Sequence, residues 1–214
     1  MRFLIPTTIA IMTGSACAST PTLGGSMSHL LITLFQNQVF VTFESPSLST
    51  VNMQDNDGDF LGGASVLNGM GYNAQFGWLA NGFISLPPDT GVFVRSLGGS
   101  PHLNVYEQTS FASILGTDDS SDVWQWDGTM THNWYSTDTH GPHFTRYEVF
   151  VGDTAGNPLD GFSSATVDLT FEYGPDLSGR IGVKNTHSIG AIPAPGALAT
   201  VGMGLCVLGA RRRR

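Results

Sequence analysis

The sequence predicts an all-β fold, an antiparallel β-sandwich of jelly-roll or immunoglobulin-like arrangement, flanked by an N-terminal signal peptide and a C-terminal transmembrane helix. Three observations predict it. Apolar and polar residues alternate with period 2 through the middle of the chain. Glycine and proline are frequent, 27 and 11 of 214 residues, which disfavours long helices. Each end carries an apolar, uncharged run beside arginine. The chain therefore divides into a leader over 1–18, an exported β domain over 19–190 and a tail over 191–214.

The leader has the three parts of a secretory signal. Arg2 supplies the positive start, Phe3 to Met12 the short apolar core, and Ala16-Cys17-Ala18 the small residues that signal peptidase reads before Ser19. A lipoprotein acylated at Cys17 is the alternative, although Gly14 stands where a leucine is usual.

Strands follow in order. His29 to Phe35 and Val39 to Phe43 read as a pair joined by Gln36-Asn37-Gln38. Short strands are expected at Tyr72 to Trp78, Gly91 to Arg95, Leu103 to Tyr106, Asp122 to Trp126 and Thr129 to Tyr135. Glu107 to Leu115 is the one stretch with a pattern open to a short helix. The cleanest alternation is Ala165 to Tyr173, with Val167, Leu169 and Phe171 on one face and Thr166, Asp168 and Thr170 on the other. Phe144 to Val151 is its expected partner, through a loop rich in glycine, asparagine, proline and aspartate.

In the tail, Pro193-Ala194-Pro195-Gly196 precedes an uncharged stretch ending at Ala210, and Arg211, Arg212, Arg213 and Arg214 close the chain. From Ile192 to Ala210 a helix would rise roughly 28 Å, enough for a hydrocarbon core of about 30 Å. The arginines act as a membrane stop and stay on the cytoplasmic side. This order of proline motif, apolar span and arginine cluster resembles the PEP-CTERM sorting signal of Gram-negative bacteria. The resemblance implies recognition by an exosortase, a membrane transpeptidase-like enzyme that removes the span. Ala194 stands where that family usually has glutamate, and an uncut membrane anchor is the alternative. The β domain is also similar to small exported β-proteins that carry this tail, through His29-Leu30-Leu31-Ile32, His132-Asn133-Trp134 and the stretch from Phe144 to Tyr173. That likeness implies fold only.

Charge excludes one class of partner. Only 12% of residues are charged, about half the usual fraction of roughly 25%. Between the two ends, Arg95, Arg146, Arg180 and Lys184 face all 17 carboxylates. So acidic a domain cannot neutralise a run of phosphates, and nucleic acid is excluded. The two cysteines, Cys17 and Cys206, lie in the leader and the span. A mature domain without thiols must be held by its apolar core.

Three groups of residues are candidates for ligand binding. His132, His140 and His143 fall within twelve positions. With Met130, His132 and Trp134 on one strand face, the following loop has the chance to fold its imidazoles over it and bind zinc or copper. The alternative is three solvated loop histidines. Asp55, Asp57 and Asp59 have the 1, 3, 5 spacing of a calcium loop, but Phe60 and Val66 occupy the positions where an EF-hand needs glycine and glutamate. An irregular calcium site and a solvated acidic turn both fit. Trp124, Trp126, Trp134 and Tyr135 either stack on sugars or fill the core. No GxSxG, HExxH or P-loop motif is present, so no catalytic residues are assigned. The expectation is a non-enzymatic, exported structural or binding module of the cell surface or extracellular matrix. Its processing partners are signal peptidase and an exosortase, its membrane contact is transient, and exopolysaccharide is a candidate ligand. A metal- or carbohydrate-binding domain is the alternative.

Overall fold

The structure, a computed structural model, describes residues 19–45, 50–56 and 59–174. The leader over 1–18, residues 175–190, and the tail with Pro193, Ala194, Pro195, Gly196 and Arg211 to Arg214 lie outside the described residues, as does Asp57. Among the described residues no helix is long and apolar enough to cross a membrane.

The domain is all-β, as expected. Its strands are β1 (Ser28–Phe35), β2 (Gln38–Phe43), β3 (Thr50–Asn52), β4 (Gln54–Asp55), β5 (Gly71–Asn73) and β6 (Phe76–Ala80), followed by β7 (Thr90–Gly99), β8 (Asn104–Tyr106), β9 (Val123–Trp126), β10 (Trp134–Thr137), β11 (Gly141–Asp153) and β12 (Ala165–Tyr173). They form three sheets, ordered β2-β1-β6, β4-β5-β10-β8 and β3-β12-β11-β7-β9.

The hairpin of β1 and β2 forms where the sequence places it. Gln36 and Asn37 both take left-handed backbone, φ 49° and 59°, the pair that lets a two-residue turn match the twist of its strands. The β11–β12 hairpin runs in continuous antiparallel register from Gly141–Tyr173 to Val149–Ala165. Along β12 the alternation is complete, with Val167, Leu169, Phe171 and Tyr173 buried and the residues between them partly or fully exposed. Near its end β11 is buried on both faces. Phe150 stacks on Phe93 at 5.7 Å, and the Arg95 guanidinium caps the Phe150 ring at 4.5 Å while its Nη1 bonds Glu148 at 2.9 Å.

One apolar core joins the three sheets. Leu30, Ile32, Phe76 and Trp78 come from the first, Val105 and Tyr135 from the second, and Val94, Trp126, Tyr147, Leu169 and Phe171 from the third. A smaller cluster of Phe60, Leu67, Tyr72, Tyr106 and Trp134 fills the other face of the second sheet, under the 3-10 helix Gly62–Leu67.

Four expectations need correction. Two of the three sheets are mixed, because β1 pairs parallel with β6 and β12 pairs parallel with β3, while the β4-β5-β10-β8 sheet is antiparallel throughout. Tyr72 to Trp78 is two strands in two sheets, separated at Ala74-Gln75 where the Gln75 N–H bonds the Asn73 side chain at 2.7 Å instead of a neighbouring strand. Glu107 to Leu115 forms turns, with Phe111 and Leu115 in left-handed backbone that no α-helix accepts. Thr129 to Tyr135 is strand only from Trp134, so Met130, His132 and Trp134 do not share a strand face.

Candidate functional site

An open cleft of about 390 Å³ lies at the corner of β7, β8 and β11, and Ser100, Asn104, Asp118, Asp119 and Phe144 are among its lining residues. The corner arises from an irregularity between β7 and β11. The register shifts between Thr145 and Tyr147. Ser100 closes the break, its N–H donating to the Phe144 carbonyl at 2.8 Å and its hydroxyl accepting from the Phe144 N–H at 3.1 Å. Phe144, on the solvent side of this alternating stretch of β11, is 52% exposed.

The opposite wall is a chain of tight turns. Leu115, Asp118 and Asp119 have φ of 56°, 50° and 60°. Aspartate enters this region readily, whereas leucine does so at a cost of about 1–2 kcal/mol. Burial in the main core holds Leu115 there. Thr117 fixes the turn by accepting the Val105 N–H at 2.7 Å, and Ser113 donates to Asp118 Oδ2 at 2.7 Å. The Asp118 and Asp119 carboxylates are therefore presented on preset backbone beside an exposed aromatic ring. Such a surface suits a neutral polyhydroxylated ligand: carboxylates and amides bond hydroxyls, and a ring face packs against sugar C–H groups.

The sequence-derived histidines go three ways. His132 is 3% exposed, its backbone N–H donates to Gln108 Oε1 at 2.6 Å, and its Nδ1 donates to the Ala74 carbonyl at 2.8 Å. Burial pushes this imidazole below its ordinary pKa, the Ala74 carbonyl opposing and neighbouring His29 adding to the shift. His143 points inward from β11 and donates through Nε2 to the Thr139 carbonyl at 2.7 Å. His140 is exposed, and its ring meets the Tyr173 ring edge-on at 4.6 Å. Asp55 and Asp59 are both exposed, and Asp55 stands beside the Tyr173 hydroxyl. Burial first, and then that carboxylate, raise the Tyr173 pKa. Among the described residues, no three His, Cys, Asp or Glu side chains gather closely enough to hold a metal ion.

The aromatic group is interior. Trp126, Trp134 and Tyr135 are buried and Trp124 partly so. The Trp126 and Trp134 indoles donate to the carbonyls of Thr129 and Gln108, at 2.7 and 2.9 Å. Tyr135 and Tyr147 are deep in the core, where burial raises both hydroxyl pKa values, that of Tyr147 to about 12. The exposed ring at the cleft is Phe144, which the sequence assigns only to a strand. Its place on the solvent side of an alternating strand is the signal that would have marked it.

No protein-family model matches the chain, and no curated protein is significantly similar to it.

Proposed function

We propose that the chain is an exported protein whose leader, residues 1–18, is removed by signal peptidase. Its tail holds it in the membrane until an exosortase-type enzyme acts at Pro193-Ala194-Pro195-Gly196, and the domain then serves at the cell surface or in the extracellular matrix as a non-enzymatic structural or binding module. The observation that carries this reading is the distribution of residues along the chain: both cysteines and five of the nine basic residues lie in the two terminal segments. What lies between is an acidic β domain whose described part is closed by an apolar core with no thiol, a composition suited to an oxidising exterior. In fold the domain is a β-sandwich of jelly-roll or immunoglobulin-like kind, and the single core shared by three sheets supports that reading.

The test is the intact mass of protein recovered from outside the cells. The expected species begins at Ser19 and ends near Pro195. A species that keeps Arg211 to Arg214 overturns the exosortase step and leaves a simple anchor.

Carbohydrate binding by the exported domain is favoured by the cleft, where exposed Phe144 faces Asn104, Asp118 and Asp119 across about 390 Å³. Retention of the protein on immobilised exopolysaccharide from the producing cells should drop in Phe144→Ala. Equal retention of the two proteins rejects the cleft as the binding surface.

A further inference from the structure

Four chain segments run side by side near the start of β1. The Glu44 N–H donates to the His29 carbonyl at 2.9 Å, which carries the β1–β2 ladder one residue past the Leu30–Phe43 pair. On its other side His29 is in register with Gly77 of β6. Trp78 and Thr131 exchange backbone hydrogen bonds of 2.8 and 3.1 Å, and this bridge sets His132 next to Gly77. Residues in register across a sheet project to one face. Glu44, His29 and His132 thus form a row, with Gly77 as its gap. The gap is required: a Cβ on Gly77 would stand 2.5 Å from both Nε2 and Cε1 of His132.

The two rings meet at this gap with centroids 5.5 Å apart and planes at 67°. Each is oriented from behind by an acceptor. His29 Nδ1 lies 2.5 Å from Glu44 Oε2, and His132 Nδ1 lies 2.8 Å from the Ala74 carbonyl oxygen. A carboxylate and a carbonyl only accept, so each ring turns an Nδ1 hydrogen toward its oxygen, which in a neutral imidazole leaves the lone pair on Nε2. Both Nε2 atoms are buried and neither has a hydrogen-bond partner among the described residues.

Two buried imidazole lone pairs, each with its outer N–H given to an oxygen, is the arrangement that orients metal-ligating histidines and raises their basicity. For nitrogen–metal bonds of about 2.0–2.1 Å, the ring centroids of two histidines on one ion fall about 5–6 Å apart, which matches the separation here. Imidazole nitrogen selects zinc, copper or nickel over the hard cations, calcium and magnesium. We propose that His29 and His132 bind one divalent transition-metal ion through their Nε2 atoms, with Glu44 and the Ala74 carbonyl as positioning groups. With two protein ligands, the ion keeps coordination positions for water or an external donor. This site is independent of the sorting tail and of the Phe144 cleft.

The experiment uses the full chain in detergent micelles, stripped with chelator and titrated with Zn²⁺ by calorimetry at pH 7.5. One equivalent should bind. His29→Gln and His132→Gln should each weaken binding at least tenfold, whereas His140→Gln and His102→Gln should leave it unchanged. Because His132 is buried, its variant is informative only if it folds, so the wild-type chain provides a second readout. In ¹⁵N-labelled protein, Zn²⁺ should move the Nε2 resonances of two imidazoles, those assigned to His29 and His132. Absence of binding at millimolar Zn²⁺, affinity unchanged in both variants, or shifts confined to other histidines would each overturn the proposal.

Discussion

The β11–β12 hairpin and the stretch from Glu107 to Asn133 are neighbours in the same domain but are held by different forces. In the hairpin, nine consecutive residue pairs lie in register, and every second side chain enters the core. Hydrogen bonding and burial there repeat every two residues, so no single contact decides the conformation. The stretch from Glu107 to Asn133 has little such repetition. Strand β9 occupies four of its residues, and individual polar contacts fix much of the rest. Glu107 Oε2 accepts from the N–H groups of Thr109 and Ser110 and from the Ser110 hydroxyl, Gln108 holds the backbone of His132 and the indole of Trp134, and Asp127 caps Thr129. A repetitive element tolerates changes on its wet face and fails in its core. A pinned element is expected to fail at its pins and to depend on their charge.

The largest effect should come from the core side of the hairpin. Leu169 is fully buried, so Leu169→Ala should cost about 2–5 kcal/mol through lost transfer energy and the cavity left behind, measured by urea unfolding. A loss below 1 kcal/mol would mean that β12 does not face the shared core.

Next comes a contact between sheets that alternation does not reveal. A Cβ at Gly71 of β5 would stand 2.3 Å from the Tyr173 ring of β12. Gly71→Ala should therefore cost about 1–3 kcal/mol by overpacking. Combining it with Tyr173→Ala should recover much of the Gly71→Ala penalty. Simple additivity of the two substitutions would place the strain elsewhere.

Glu107 tests the pinned region through pH. Burial pushes its carboxyl pKa up, but the hydrogen bonds from Ser110 and Thr109 outweigh it, and the net shift is downward. A depressed carboxyl pKa contributes stability that is complete above the unfolded value of about 4.3 and lost as pH falls through the folded value. Glu107→Gln should cost about 1 kcal/mol at pH 7, and the gap between the two proteins should narrow as pH falls below about 4.3. A gap that stays constant across that window would assign the loss to packing instead of charge.

The smallest effect belongs to the wet face. Thr166 is exposed in β12 opposite Glu148, and Thr166→Ala should stay within about 0.5 kcal/mol. Thr170, also on that face, is a poorer control because its hydroxyl meets that of Thr50 at 2.7 Å across the parallel β3 pairing.

Sequence alone determined the all-β class, the bounds of β12 and the pairing of β1 with β2 across Gln36-Asn37-Gln38, a connection that the structure shortens to two residues because Gln38 already pairs with Phe35. Each of these rests on interactions between residues close along the chain, or on a period-2 pattern that burial of one face imposes on every strand. Tertiary structure decided the pairing of distant strands. The parallel neighbours of β1 and β12 depend on partners distant in the sequence, and no local pattern encodes a distant partner. The histidines make the same point. Their spacing grouped His132 with His140 and His143, its neighbours along the chain. The sheet instead placed His132 beside His29, because strands that bury their apolar faces in one core bring the residues of their opposite faces together in register.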